Sequence, residues 1–302
     1  MAVVLRKQGS AFQVNSRSNS SAKRAHLAWR GESGGFLKHQ AALGGRMLFI
    51  GLDLAWGQRN WTGLCAVDDS GRILNSGRAR TDLDIVKWLA PFTSGDCLVA
   101  VDAPLIVPPD VRRRGCDNVI SRVFGHREGS AHTANRHQPA FSKGVRAESL
   151  AKTLDLSTDP VLPSAAPVRR MIEVYPHTAI LCLFRLPRTL KYKAKKGRTV
   201  ASRKLAFREL IGHLQSVSGP LFQLASTHWQ NLCSEIEQCR TSTTLDHAED
   251  ELDAYVCAYV ALYYWTHRTA RCGIIGDPEQ GYIVTPIDDD ARVRLRGLVS
   301  GG

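Results

Sequence analysis

The chain has 302 residues, 43% of them hydrophobic and 23% charged, with 40 Lys/Arg against 28 Asp/Glu. This suits one large globular domain or two small ones, and no apolar run reaches the ~18 residues of a membrane span. The eight cysteines form no C-x-x-C pair, which predicts reduced, mostly buried thiols, a cytoplasmic setting and no disulfide-linked partner.

The basic excess is unevenly placed. Residues 1–46 hold eight Lys/Arg, six Ser and one acid, Glu32. This segment has no useful apolar periodicity and reads as a disordered basic tail. A transit peptide, a basic nucleic-acid-binding arm and a mis-assigned start all fit it. Met47, directly before the first strand, is the preferred start. The expected domain is 47–290, followed by a C-terminal tail, 291–302.

From Met47 the pattern becomes regular. Residues 47–55, 62–68 and 72–80 read as three strands joined by Gly-containing turns. Thr81 is the expected N-cap of a helix over 82–90. "CLVAVDAPL", 97–105, is a buried strand carrying Asp102, and Pro104 stops it. Residues 110–146 are basic and irregular, with a helix near 117–124. His126, His132 and His137 lie in or near them, with Cys116, but match no zinc spacing and read as a solvated loop. "MIEVYPH", 171–177, reads as a strand, followed by a helix over 177–185. Residues 184–208 carry ten Lys/Arg and no acid, and amphipathic helices follow to about 238. A long helix begins acidic and turns apolar over 245–265, and "GIIGDPEQGYIVTPI" closes as a hairpin.

Acids sit where such a fold places chemistry. Asp53 interrupts the apolar strand "FIGLDLAWG", and a buried carboxylate needs a partner, a hydrogen bond or a metal. Asp53 and Asp102 both lie near C-terminal strand ends, where α/β proteins bind ligands. Asp246, Asp250 and Asp253 fall at i, i+4 and i+7 on one helix face, an array that repels itself unless a cation or basic ligand lies against it. Two strand acids and a helix acid suit hard divalent ions such as Mg²⁺.

The segments "GLDLAWG", "VAVDAPLIVPP", "RRGCDNVISRVFG", "EVYPH", "LKYK", "ELDAYVCAYVA" and "GYIVTP" are together similar to domain-of-unknown-function family 429 (DUF-429), over about 47–287. Three hairpin strands opening on G-x-D, a later acidic strand and a helix with D-x-x-D-A also resemble the ribonuclease-H-like superfamily. The resemblance implies an α/β fold, a ribonuclease-H-like mixed sheet flanked by helices with the first and fourth strands adjacent. It also implies a nuclease acting on nucleic acid, DNA or RNA, through a Mg²⁺ or Mn²⁺ pair. Asp53 then bridges the metals, Asp102 and Asp253 each hold one, and Asp250 is an outer ligand. The resolvases of this superfamily generally carry Glu where Asp102 stands. Glu173 and His177 match the family's own "EVYPH" and are carried as additional site residues. Lys191, Lys193, Lys195 and Lys196 are expected to contact substrate phosphates from a mobile loop.

Bland readings stand beside these. Asp53 and Asp102 also suit strand-end hydrogen bonding, Asp250 and Asp253 a helix dipole, Glu173 a salt bridge, and the lysines a solvated face. Two other functions fit the fold. One is a catalytically inactive nucleic-acid-binding module. The other is an actin-like or sugar-kinase-like phosphotransferase using Asp53, Thr62 and Gly63, although no second phosphate loop or Walker A motif is present.

Overall fold

Strand β1 (Leu48–Asp53) is the middle of a five-stranded mixed sheet. Strands β2 (Thr62–Asp68) and β3 (Ile73–Ala79) follow it antiparallel, while β4 (Cys97–Val101) and β5 (Arg169–Glu173) add parallel on its other side. The order is β3-β2-β1-β4-β5, so the first and fourth strands are neighbours, as expected. The computed structural model describes residues 47–109, 111–164, 167–219 and 221–300. The expected basic tail, 1–46, lies outside the described residues.

Phe49, Ile50, Leu52 and all five residues of β4 are fully buried, because helices cover both faces of the central strands. Helices α1 (Asp82–Thr93), α2 (Gly115–Phe124), α3 (Arg146–Thr153), α4 (Pro176–Leu183), α5 (Val200–Ser216), α6 (Thr227–Gln238) and α7 (Ser242–Arg271) are followed by a hairpin. The hairpin pairs β6 (Cys272–Asp277) with β7 (Gly281–Pro286). Thr81 caps α1 as expected, its side chain accepting from the Asp84 N–H.

Helix α7 governs the arrangement. Thr241 caps it through the Thr244 N–H, and its apolar stretch lies across β1, β2 and β4. The approach is close enough that a Cβ on Gly51 would overlap Ala254 O and Ala258 N, and one on Gly63 would overlap Asp250 O. Glycine is needed at both positions because backbone meets backbone.

Several boundaries differ from the sequence expectation. β4 ends at Val101, so Asp102 begins the loop beyond it. β5 starts at Arg169, earlier than 171. The Arg169 guanidinium donates to the carbonyls of Thr93 and Leu154, and Arg170 pairs with Asp159 at 3.0 Å. These partners make charged residues compatible with a strand and conceal it from an apolar pattern. The helix after it accordingly starts at Pro176 rather than 177.

The segment 291–302, expected as a tail, does not begin as one. Helix α8 (Asp289–Ser300) runs through it, with Asp288 accepting from the Ala291 N–H and with Ala291 and Leu295 buried in the core. No described helix is long and apolar enough to cross a membrane. All eight cysteines are free thiols, and seven are buried.

Gly51→Ala is expected to cost about 3 kcal/mol or more in urea denaturation, because helix and strand backbones must separate. Gly77→Ala, where an added Cβ meets nothing within 4 Å, serves as the control. Equal losses at the two positions would refute the close-approach account.

Candidate metal centre

β1 and β4 run parallel with Leu52 opposite Val101, and the Asp102 N–H donates to Leu52 O at 2.8 Å. This register sets Asp53 and Asp102 side by side at the strand ends. α7 then delivers Asp253, which is fully buried, from above the sheet. Carboxylate oxygens of Asp53, Asp102 and Asp253 all lie within 4.8 Å of one another. Asp53 and Asp102 face a cleft of about 270 Å³ that is also lined by Trp56, His132, Tyr175, His177 and Lys193, with Asp253 buried behind them.

Two acids of the helix array take partners, and the third, Asp250, takes none among the described residues. Asp246 pairs with Arg203 at 2.6 Å. Asp253 accepts from the Tyr192 hydroxyl at 2.8 Å through Oδ1, and Lys193 Nζ lies 2.6 Å from its Oδ2. That second contact is an ion pair without hydrogen-bond alignment, so Oδ2 is a buried oxygen with no hydrogen-bond donor. Asp250, Asp53 and Asp102 make no side-chain hydrogen bond among the described residues. The basic ligand that the repelling array required is therefore present in the chain itself.

The electrostatics follow from burial. Asp53 is pushed up to about 7 by burial, with Lys193 pulling it down and Asp253 pushing it further up. Burial, then Asp53, hold Asp102 well above the usual carboxylate range. Asp250 rises to about 9 through burial, Asp53 and Glu249, and Glu249 to about 8 through burial, against the pull of Lys193. Burial opposes the charge on Lys193, but Asp253 and Asp53 outweigh it and hold the ammonium firmly protonated. His177 is held well below its ordinary value by burial and then by Lys193, so its ring is neutral near pH 7.

The additional residues divide. His177 faces the cleft, edge-on to Tyr175 at 5.5 Å. Glu173 also lines it, but its oxygens take Arg114 at 2.7 and 2.8 Å and the Leu105 N–H at 2.9 Å. With three donors on one buried carboxylate, Glu173 is a structural anchor. Lys195 and Lys196 are exposed, and Lys191 pairs with Glu128. Lys193 turns inward to the acids. The segment expected to be a mobile loop is pinned by Leu190 and Tyr192, both buried, so Tyr192 offers no stacking surface.

Sequence reading missed Tyr192 as an Asp253 ligand, and missed Arg203. The signal for Arg203 was present: it shares helical spacing with buried Phe207, Leu210 and Leu214. Of the loop histidines, His126 pairs with Asp290 at 3.1 Å and His132 lines the cleft, and no described group joins them with Cys116 as metal ligands. The phosphotransferase reading loses its turn. Thr62 is fully buried and accepts from the Ala55 N–H, and Gly63 lies under the Asp250 carbonyl.

The family model described as "Protein of unknown function (DUF429)" matches residues 51–279, which include every acid of the cluster. The chain belongs to the DUF429 family. No curated protein and no solved structure matches it.

The raised Asp53 carboxyl gives this DUF429 chain a signed pH dependence. Folded, the group keeps its proton to about pH 7, whereas the unfolded carboxyl releases it near 3.8. Its contribution is therefore present below pH 3.8 and lost as pH rises to about 7. In EDTA, Asp53→Asn should gain stability relative to the parent between about pH 5 and about pH 8 in urea denaturation. A difference that stays constant with pH would refute the cluster's mutual repulsion. Mg²⁺ or Mn²⁺ at ~1 mM should raise the parent's melting temperature, more at the higher pH because ions compete with protons.

Proposed function

We propose that this chain is a divalent-metal-dependent nuclease that hydrolyses phosphodiester bonds of DNA or RNA. The carrying observation is the convergence of Asp53, Asp102 and Asp253 within 4.8 Å, with Asp53 and Asp102 on the wall of an open cleft. A fold gains nothing by gathering three carboxylates unless something positive joins them.

The donor set fits Mg²⁺ or Mn²⁺. It consists of carboxylate oxygens only, two of the acids accept no hydrogen bond, and Asp253 Oδ2 has only the Lys193 ammonium beside it at 2.6 Å. Ions of this kind lower the pKa of a coordinated water and neutralise charge on a phosphate. Asp53, Asp102 and Asp253 would hold the metal, with Asp250 one turn earlier on α7 as an outer acid. Neutral His177 offers a proton acceptor or a hydrogen bond on the cleft wall. Lys195 and Lys196 offer ammonium groups to backbone phosphates. The sheet order, with β1 between antiparallel β2 and parallel β4, supports the ribonuclease-H-like resemblance.

The test is a panel of labelled DNA, RNA, hybrid and junction substrates with Mg²⁺, Mn²⁺ or EDTA. Cleavage should need metal, and Asp53→Asn should slow it ~100-fold or more while retaining nucleic-acid binding. Salt-dependent binding without cleavage by the parent would instead support the inactive module. Replacing Lys195 and Lys196 with Ala should weaken binding and flatten its salt dependence by up to ~0.9 log unit per lost contact on duplex DNA. An unchanged slope would make these lysines a solvated face.

A further inference from the structure

The segment between α4 and α5 is built to deliver one ammonium group. Leu190 and Tyr192 are buried, and the Tyr192 hydroxyl donates to Asp253. Arg203 Nε donates to the Tyr192 carbonyl at 2.7 Å, and Arg198 donates to the Lys193 carbonyl at 2.7 Å. Arg203 is itself buried and fixed to Ser242 at 2.8 Å and Glu249 at 2.8 Å on α7. The backbone carrying Lys193 is thus tied to the helix that carries Asp253. Lysine side chains ordinarily hold exposed ion pairs weakly because four rotatable bonds must be frozen. Here the backbone is fixed on both sides, and Nζ stands 2.6 Å from Asp253 Oδ2 and 3.9 Å from Glu249.

Charge balance limits what else can enter. The three clustered carboxylates carry three negative charges when ionised, and Lys193 supplies one positive charge. A single divalent ion neutralises these three acids with the lysine and leaves only the outer Asp250 uncompensated. A second would leave the cluster with excess positive charge in a poorly solvated site.

We infer that Lys193 is a built-in cation of the metal centre, filling the place of one ion of the expected pair, so that the site takes a single divalent ion. The inference rests on the metal-binding half of the function proposed above. Asp53 and Asp102, whose carboxylates accept no hydrogen bond among the described residues, then provide the main ligands. Asp253 couples the ion to the ammonium. The lysine read from sequence as a phosphate contact belongs first to the acids.

The experiment is Mn²⁺ titration of the full chain by calorimetry and electron paramagnetic resonance, with no nucleic acid present. The parent should bind one Mn²⁺ and give the spectrum of an isolated ion. Lys193→Met, which keeps the length and removes the charge, should bind two, with the spin coupling of ions ~4 Å apart. Lys193→Arg should stay at one. A parent that binds two coupled ions overturns the inference, as does one that binds none or a Met variant that stays at one. Should the Met variant fail to fold by circular dichroism, the parent's own spectrum decides: an isolated ion supports the inference and a coupled pair overturns it. Failure of the nuclease reading is distinguishable. One bound ion with no cleavage of any substrate removes the nuclease and leaves this inference standing. Two bound ions with cleavage do the reverse.

Discussion

The contact on which the site depends is backbone to backbone, between helix α7 and strands β1 and β2. Gly51 and Gly63 let Ala254, Ala258 and Asp250 approach the sheet where any side chain would hold them off. A helix on a sheet normally stands about 10 Å away, a spacing set by interleaved side chains. Removing those side chains lowers α7 and brings Asp253 within reach of acids at the strand ends. The same contact buries Asp253 completely, so one packing decision both assembles the carboxylates and raises their electrostatic cost. Packing density fixes the distances, and the distances fix the chemistry.

Two buried arginines stabilise what that packing creates, in different ways. Arg114 takes Glu173 and Asp117 in paired contacts and also donates to Ile106 O, holding the loop that begins at Asp102. Arg203 joins Tyr192, Asp246 and Glu249, holding the segment that carries Lys193. A buried guanidinium is costly to desolvate, and its planar fork offsets that cost only where several acceptors are fixed around it. Both arginines meet this condition. Each therefore works as a clamp on a loop that would otherwise have few reasons to hold one conformation.

How much of this was legible follows from which signals are local. Asp53 and Asp102 were readable because an acid inside an apolar strand violates a local pattern, and Asp253 because i, i+4, i+7 acids violate a helical one. The three hairpin strands, α1 and the final hairpin follow from turn and capping residues. β5 was misplaced at its start because Arg169 and Arg170 find acceptors far away in sequence. Helix α8 was missed because its core-facing residues are few, Ala291 and Leu295 buried and Leu298 partly so, among exposed charges. Lys193 stands among nine other basic residues in 184–208, and composition treats all ten alike. Only tertiary structure separates the one that turns inward. The period-2 pattern of Leu190 and Tyr192 facing inward would have sent Lys193 outward, and the tether from Arg198 overrides it.

Satisfaction of hydrogen bonds, rather than burial, distinguishes a partnered acid from an unpartnered one here. Glu173 is almost as buried as Asp253 and lines the cleft beside Asp53 and Asp102, and its place in "EVYPH" made it an additional candidate. Yet Glu173 accepts from an arginine fork and a backbone N–H, which offset part of the burial that pushes it upward, and a metal there would have to displace partners already present. Asp53 and Asp102 have no such donors; burial raises both, and Asp53 adds to the rise of Asp102. A carboxylate left in that condition either keeps its proton or takes a cation. The fold supplies one cation, Lys193, to three acids and no further donor to two of them. The remaining negative charge is what a divalent ion would neutralise, and it marks these acids, not Glu173, as the ones open to chemistry.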